Sequence, residues 1–417
     1  MVNRVDVIVV GGGASGLMTA GLCAQQGLST LLIERNERLG KKLLITGKGR
    51  CNVTNNCEME RLIESVPSGG RFLFSAFSRF SPQDVMAFFE ELGVPLKTER
   101  GARVFPQSDK AGDIVSALER LVKQGGCRVE TGRVRNLVWE DGTLGGVQTE
   151  DGRTWTCRAM AVCTGGKSYP RTGSTGDGYA LAKQAGHTVT ALSPSLVPLV
   201  TKDDWCAGAQ GLSLRNVALA VTDTVKKKQV YSDFGEMLFT HYGMSGPMVL
   251  SASAHMRPMS AGRYEVAIDL KPALGMEQLD ARVQRDFLKY QNRDLSNSLG
   301  DLLPRSIIPV IIEKSCVPGH RKINQITREE RRSLCCTIKH LTATVQGFRP
   351  IEEAIVTSGG VSLKEVSPKT MESKLVKGLY FAGEVLDLDA YTGGFNLQIA
   401  FSTAYAAAQA IREVLLP

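Results

Sequence analysis

The segment from residue 5 to residue 34 constrains the fold of this chain more than any other. VDVIVV at 5–10 is a short apolar run, Gly11-Gly12-Gly13-Ala14-Ser15-Gly16 follows it directly, a small-residue helix is predicted over about 17–26, and a second apolar run at 29–33 ends on Glu34. Two short β-rich runs separated by one helical stretch read as a βαβ unit. Gly11, Gly13 and Gly16 fall as G-x-G-x-x-G at its strand-to-helix turn. The first permits the tight turn, the second lets the backbone approach a pyrophosphate, and the third lets helix pack close to strand. The helix N-terminus turns unpaired N–H groups toward the phosphates. Glu34, eighteen residues past Gly16, stands where a carboxylate accepts the ribose hydroxyls of an adenosine. A dinucleotide-binding domain is expected.

Similar features recur far downstream. The run 159–162 leads into Cys163-Thr164-Gly165-Gly166, a strand ending in residues small enough to lie against a nucleotide. Near the C-terminus GLYFA at 378–382 runs into Gly383-Glu384, and TGGFNLQ then opens a small-residue helix. Between these ends the texture changes. LRNVALAVTD and RYEVAIDL read as strands, whereas Leu279, Val283, Phe287 and Tyr290 recur at helical spacing. At 417 residues the chain exceeds one ordinary core. The expected plan is a discontinuous nucleotide domain (1–192 and 361–417), a β-rich insertion (193–272 and 341–360) and a helical lobe (273–340).

No apolar run approaches the ~20 residues of a membrane span, and no signal-peptide pattern precedes residue 5, so a cytoplasmic location is expected. The ten cysteines form no regular disulfide framework. Fifty Lys+Arg against 42 Asp+Glu leave a net charge of +8, which fits either a solvated basic surface or an anionic partner such as RNA. Asn52-Val53-Thr54 is formally a glycosylation sequon, inert in a reducing compartment.

Six blocks carry a family resemblance: VVGGGASGL, ERNERLGKKLLITGKGRCNVTN, RVFPQSDKAGDIVSAL, CTGGKSYPRTGSTGDGYALA, GEMLFTHYGMSGP and LYFAGEVLDLDAYTGGFNLQIAFSTA. Together they resemble the bacterial aminoacetone-oxidase and BaiN-type family of FAD-dependent oxidoreductases over nearly the whole chain. The resemblance implies an α/β fold: a discontinuous glutathione-reductase-like FAD-binding Rossmann domain with an inserted β-barrel-like domain and a helical subdomain.

It also implies FAD contacts. Gly11, Gly13, Ala14, Ser15 and Gly16 would form the phosphate loop, with Glu34 and Arg35 at the adenosine ribose. Lys41, Lys42, Thr46, Gly47, Gly49, Arg50, Cys51 and Asn52 would run along the pyrophosphate and ribityl chain toward the ring, with Arg50 on phosphate charge and Cys51 against the flavin. Val134 would meet the adenine through its backbone, with Thr164, Gly165 and Gly166 close by. Gly383, Glu384, Asp387, Gly394, Phe395, Asn396 and Leu397 would enclose the ribityl chain and isoalloxazine. Phe395 departs from the Tyr of many relatives, and Glu384 stands where broader flavoproteins use Asp, so Glu384 and Asp387 compete for the ribityl role. The positive end of the last helix would stabilise charge on the reduced ring.

The family implies redox chemistry more firmly than a substrate. The first expectation is that NAD(P)H reduces FAD and hydride then passes to a conjugated C=C of a steroid- or bile-acid-like enone. No second glycine loop is visible, so nicotinamide would dock transiently. The alternatives are dihydrouridine formation in large-subunit ribosomal RNA, supported by the net charge and the block Lys41, Lys42, Lys48 and Arg50, and peroxide-producing oxidation of aminoacetone. His241 and Tyr391 are the candidate proton donors; the bland reading of His241 is an exposed turn.

Two cysteine constellations need a decision. Cys51 and Cys57 lie near the position of a redox-active dithiol, but their spacing, the lack of a second nucleotide domain and the lack of a paired His-Glu count against it. Cys316-x3-His320 and Cys336-x3-His340 have ligand residue types, but the halves are far apart in sequence and such residues are often merely packed; no metal is expected.

Overall fold

A computed structural model describes residues 3–416. They form two compact units: one runs to Ser195 and resumes at Pro350, and the other spans Leu196–Arg349.

The first unit is built on β1 (Val7–Val10), α1 (Ala14–Gln25), β2 (Thr30–Glu34), α2 (Lys41–Ile45), β3 (Arg128–Thr131), β4 (Ala159–Val162), α3 (Asp177–Gln184), β5 (Leu379–Phe381) and α4 (Phe395–Leu415). The five strands form one parallel sheet in the order β5-β4-β1-β2-β3. β1, β2, β4 and β5 are wholly buried, which is why they read as continuous apolar runs without alternation. β3 is the exposed edge and carries Arg128 and Glu130 outward, charges that discourage pairing with another chain.

Register positions the site. Val10 pairs with Ile33 and with Val162, and Val162 pairs with Phe381. Gly11, Glu34, Cys163 and Ala382 therefore leave the sheet side by side along its C-terminal edge, where parallel α/β sheets bind ligands. Two glycines are dictated by contact. A Cβ on Gly16 would lie 1.7 Å from the Gly11 carbonyl oxygen, and one on Gly11, at φ +102°, would lie 2.6 Å from the Cys163 carbonyl oxygen.

The second unit is a closed six-stranded antiparallel barrel of Leu199–Thr201, Gly243–Ser245, Lys228–Thr240, Ser213–Asp223, Tyr264–Asp269 and Leu341–Phe348. Closure leaves no unpaired edge. Helices Met276–Lys289, Ile308–Ser315 and Arg328–Lys339 fall between its last two strands in sequence. Leu279, Val283 and Phe287 are buried as their spacing predicts, and they share one apolar core with Val266 and Ile268 of the barrel, so lobe and barrel fold as one body. Tyr290 closes that helix at its C-cap and donates to Asp301 instead of entering the core.

Two boundaries move from expectation, the first unit running on to Ser195 instead of stopping at 192. Ser193–Ser195 pairs antiparallel with Val356–Ser358, and this ladder belongs to the first unit, which therefore resumes at Pro350 and not at 361. Among the described residues no helix is long and apolar enough to cross a membrane.

Candidate cofactor site

A cleft with about 1290 Å3 of space, counted out to solvent, runs along the C-terminal edge of the sheet from the glycine loop to the start of α4. At one end Gly11, Gly13, Ala14 and Ser15 line it. Gly13 is the N-cap of α1, with no side-chain cap and no acid in the first turn, so the first helical N–H groups have no side-chain acceptor. Glu34, 8% exposed, accepts from the Gly12 amide at 2.6 Å and from the Asn36 amide and side chain at 2.9 and 2.6 Å. These three bonds fix its carboxylate at the cleft wall and leave room for a further donor on its four lone-pair sites.

Beside it a charge cluster closes the same end. Asp177, at the start of α3, accepts from Arg133 at 2.9 and 2.6 Å and from Arg35 at 3.1 Å. Burial opposes ionisation of Asp177, but Arg133 and Arg35 outweigh it and hold its carboxyl below the usual range. Val134 follows Arg133 and also lines the cleft. Arg133 and Asp177 escaped sequence reasoning because nothing local shows that residues forty-four apart form a bidentate pair.

In the middle stand Lys42 and Glu384. The Lys42 ammonium donates to Glu384 Oε2 and Ser168 Oγ, both at 2.7 Å, while Glu384 Oε1 accepts from Ser168 Oγ at 3.1 Å and from the Thr357 amide at 2.9 Å. Lys41 and Thr46 also line the cleft; Lys41 Nζ lies 3.4 Å from Asn36 Oδ1. Thr164 and Gly165 line the wall beside the glycine loop.

At the far end α4 begins at Gly394, again with no side-chain cap and no acid in its first turn. Asn396 and Leu397 reach the cleft, but the Asn396 side chain is taken by the Ala390 amide at 2.9 Å and the Ala390 and Tyr391 carbonyls at 2.8 and 3.3 Å. Its role is to hold the turn before the helix, leaving only its backbone for a ligand. Phe395 is buried, against Gly393, and does not line the cleft.

Other expected contacts lie elsewhere. Arg50 is placed away from the pyrophosphate end: its guanidinium binds Glu99 and Asp109 and lies 4.1 Å over the Phe105 ring. Two carboxylates and an aromatic face outcompete a cleft position, so Arg50 anchors the loop instead. Gly47 and Gly49 are exposed at φ +57° and +85°, with Lys48 and Cys51 also left-handed, a tightly wound loop closed by Cys51 N–H to the Thr46 carbonyl at 3.0 Å. Cys51 is fully buried and burial pushes its thiol up to about 12. Cys51 and Cys57 are free thiols. Gly166 faces Thr357 and Glu384 behind the wall, and the Asp387 amide bonds the Val361 carbonyl at 3.1 Å. Gly383, at φ +79°, sits against α1: its Cβ would lie 2.6 Å from Ser15 Oγ.

His241 is exposed on the turn between two barrel strands of the second unit, edge-on to Tyr242. Tyr391 lies in the first unit, its amide bonded to the Ser65 carbonyl at 2.9 Å. Cys316 and Cys336 are exposed, and among the described residues no group of three or more His, Cys, Asp or Glu is placed to hold a metal ion.

The cleft suits a dinucleotide on its own chemistry. Two uncapped helix N-termini face it, and Thr164, which lines it, has a buried Oγ1 with no protein partner; Asn52 Oδ1, in the loop after α2, is likewise unpartnered but does not line the cleft.

Comparison with known proteins agrees. Residues 5–410 match the HI0933-like protein Rossmann domain family. The chain belongs to this family. HI0933-like relatives include the 3-dehydro-bile acid delta(4,6)-reductase of Clostridium scindens, 31% identical over 99% of both chains. They also include the ribosomal RNA dihydrouridine synthase of Haemophilus influenzae, 32% identical over 97% of this chain and 98% of that one. The HI0933-like fold is shared with 3-ketosteroid delta1-dehydrogenase from Sterolibacterium denitrificans, at a TM-score of 0.54 and 12% identity, covering 99% of this chain and 100% of that structure. The first unit is thus a Rossmann-type FAD-binding fold, and the HI0933-like assignment makes the chain an FAD-dependent oxidoreductase.

Proposed function

We propose that this protein uses FAD, reduced by NAD(P)H, to saturate a C=C conjugated with a carbonyl in a steroid- or bile-acid-like enone. The observation that carries the reading is the cleft between two uncapped helix N-termini, in a chain aligned end to end with a curated delta(4,6)-reductase. Bound FAD supplies two-electron transfer. The chain's own residues do the holding. The first turn of α1 presents N–H donors to phosphate, Glu34 takes a ribose hydroxyl, and Val134 offers backbone to the adenine. Lys42 stands along the middle, and the α4 N-terminus favours negative charge at the ring end. The double bond next to a carbonyl also needs a proton, for which Tyr391 and His241 are the side-chain candidates.

Dihydrouridine formation in ribosomal RNA is the second reading. It is supported by the curated synthases at 32% identity, whose product also requires saturation of a ring C=C. Its basic block is weakened by the structure, since Lys42 is paired with Glu384 and Arg50 with Glu99 and Asp109.

The test is anaerobic. Flavin-loaded protein is bleached with NADH or NADPH, then given a 3-oxo-4,6-diene bile acid or uridine-containing RNA, and a separate sample left oxidised is given aminoacetone. A two-hydrogen mass gain in the bile acid with return of the yellow colour supports the first reading. Return of colour only with RNA would install the second, and bleaching by aminoacetone with peroxide released in air would replace both.

A further inference from the structure

Glu384 was a candidate acceptor for the ribityl chain, but its carboxylate is already committed. One oxygen takes the Lys42 ammonium at 2.7 Å; the other takes the Thr357 amide at 2.9 Å and the Ser168 hydroxyl at 3.1 Å. The partners come from α2, from the loop after β4 and from the strand Val356–Ser358, so Glu384 ties three segments together at the cleft wall. Ser168 is itself buried, and its backbone is fixed because Thr357 Oγ1 accepts the amides of Lys167 and of Ser168 at 2.8 and 3.1 Å. A carboxylate with three such partners holds its place without a ligand.

Lys42 is what this arrangement exposes. Its ammonium has three donors; two go to Ser168 and Glu384. The side chains of Lys42 and Glu384 are 21% and 19% exposed, and both residues line the cleft. Charges this shielded interact through protein more than through water, so they are felt by a neighbouring group. The other cleft cations whose partners are carboxylates, Arg35 and Arg133, are fixed on Asp177 at the adenosine end.

We infer that Glu384 is a positioning residue that holds Lys42 at the cleft wall, and that the pair sets the reduction potential of the bound flavin by opposing contributions. The inference rests on the reading that the cleft holds FAD. Uptake of two electrons and one proton from a two-electron reductant adds one negative charge to the bound group. A nearby ammonium favours that change and a nearby carboxylate opposes it. Removing each charge alone must then move the equilibrium in opposite directions, a signature that loss of packing does not produce.

The experiment is a reductive titration of full-length, flavin-loaded protein with dithionite against a reference dye, beside a measurement of FAD affinity by fluorescence. Lys42→Met is expected to make two-electron reduction less favourable, by on the order of tenfold, or ~30 mV. Glu384→Gln keeps an acceptor for the Thr357 amide and should make reduction more favourable by a similar factor. Lys42→Arg should stay near the wild-type potential, and Lys42→Gln replaces Lys42→Met if that variant fails to fold. Shifts of the same sign, or no shift with flavin retained, overturn the inference while leaving the FAD reading intact. A wild-type chain that binds no FAD overturns both.

Discussion

The side-chain amide of Asn55 donates to the carbonyl of Gly393 at 2.9 Å and to that of Gly101 at 3.0 Å, joining segments 338 and 46 residues away. Next to it, a Cβ on Gly394 would lie 2.3 Å from the Thr54 backbone, and Thr54 Oγ1 donates to Gln398. The loop GKGRCNVTN and the turn TGGFN are therefore two halves of one structure at the head of α4.

Asn55→Ala removes the partner of the half-buried Gly393 carbonyl in a region where Asn55 itself is 4% exposed, while the exposed Gly101 carbonyl can turn to water. The stranded carbonyl costs ~1–3 kcal/mol. The variant should unfold at clearly lower urea and hold FAD more weakly, because the turn that opens α4 loses its tie. An unchanged unfolding midpoint would refute this.

Gly16→Ala and Gly13→Ala differ by one position class in the same loop and should behave oppositely in stability. The first places a Cβ 1.7 Å from backbone and should cost at least ~3 kcal/mol, the upper end of overpacking. The second meets nothing within 4 Å at φ −86° and should shift stability by less than ~0.5 kcal/mol, lowering only FAD affinity. Thermal melts with and without FAD separate the two effects.

His187 carries the pH dependence. Its ring is buried, with Nε2 2.7 Å from Ser373 Oγ and Nδ1 3.3 Å from Glu365, edge-on to Phe381. Burial lowers its pKa below the ordinary 6.5, and Glu365 offsets this only in part. The unfolded chain therefore takes up the proton first. This contribution to stability is full above the unfolded pKa and is lost as pH falls from about 6.5 toward the folded value. Urea midpoints from pH 7.5 to 5 should fall in the wild type more steeply than in His187→Gln. A wild type that gains stability on acidification through this window contradicts the assignment.

The cysteines make a stoichiometric prediction. A thiol held at about 12, as Cys51 is, carries almost no thiolate at neutral pH, and its presumed partner Cys57 is a separate free thiol. Reductive titration should consume two electrons per flavin in both wild type and Cys57→Ser. Four electrons in the wild type and two in the variant would restore a redox-active pair.

Local chemistry made the nucleotide unit readable. Gly11 and Gly16 make the tight turn and close helix packing their spacing implied, because strand, turn and helix are contiguous and each glycine answers a contact within or beside the loop. The barrel and the helical lobe were visible for the same reason, through alternation and through Leu279, Val283 and Phe287. Partner choice was not visible. Arg50 and Glu384 carry the right charges for phosphate and ribityl roles, yet Glu99, Asp109, Lys42 and Ser168 reach them first, and no one-dimensional pattern reports such long-range competition. The reassignment of 350–360 has the same origin: three residues paired to Ser193–Ser195 outweigh a strand-like texture that resembled its neighbours.

The crowding of Gly383 against Ser15 also bears on how the protein is made. The segment after β5 and the first turn of α4 follow the Leu196–Arg349 unit in the chain, and they supply one wall of the cleft and the second uncapped helix end. Chains emerge N-terminus first and domains fold as they become complete. The Leu196–Arg349 unit can therefore finish folding on the ribosome while the glycine loop, translated long before it, still has an open side. Completion of the cleft therefore waits on residues far downstream of the glycine loop, and a chain cut short before residue 383 would carry that loop without the opposite wall.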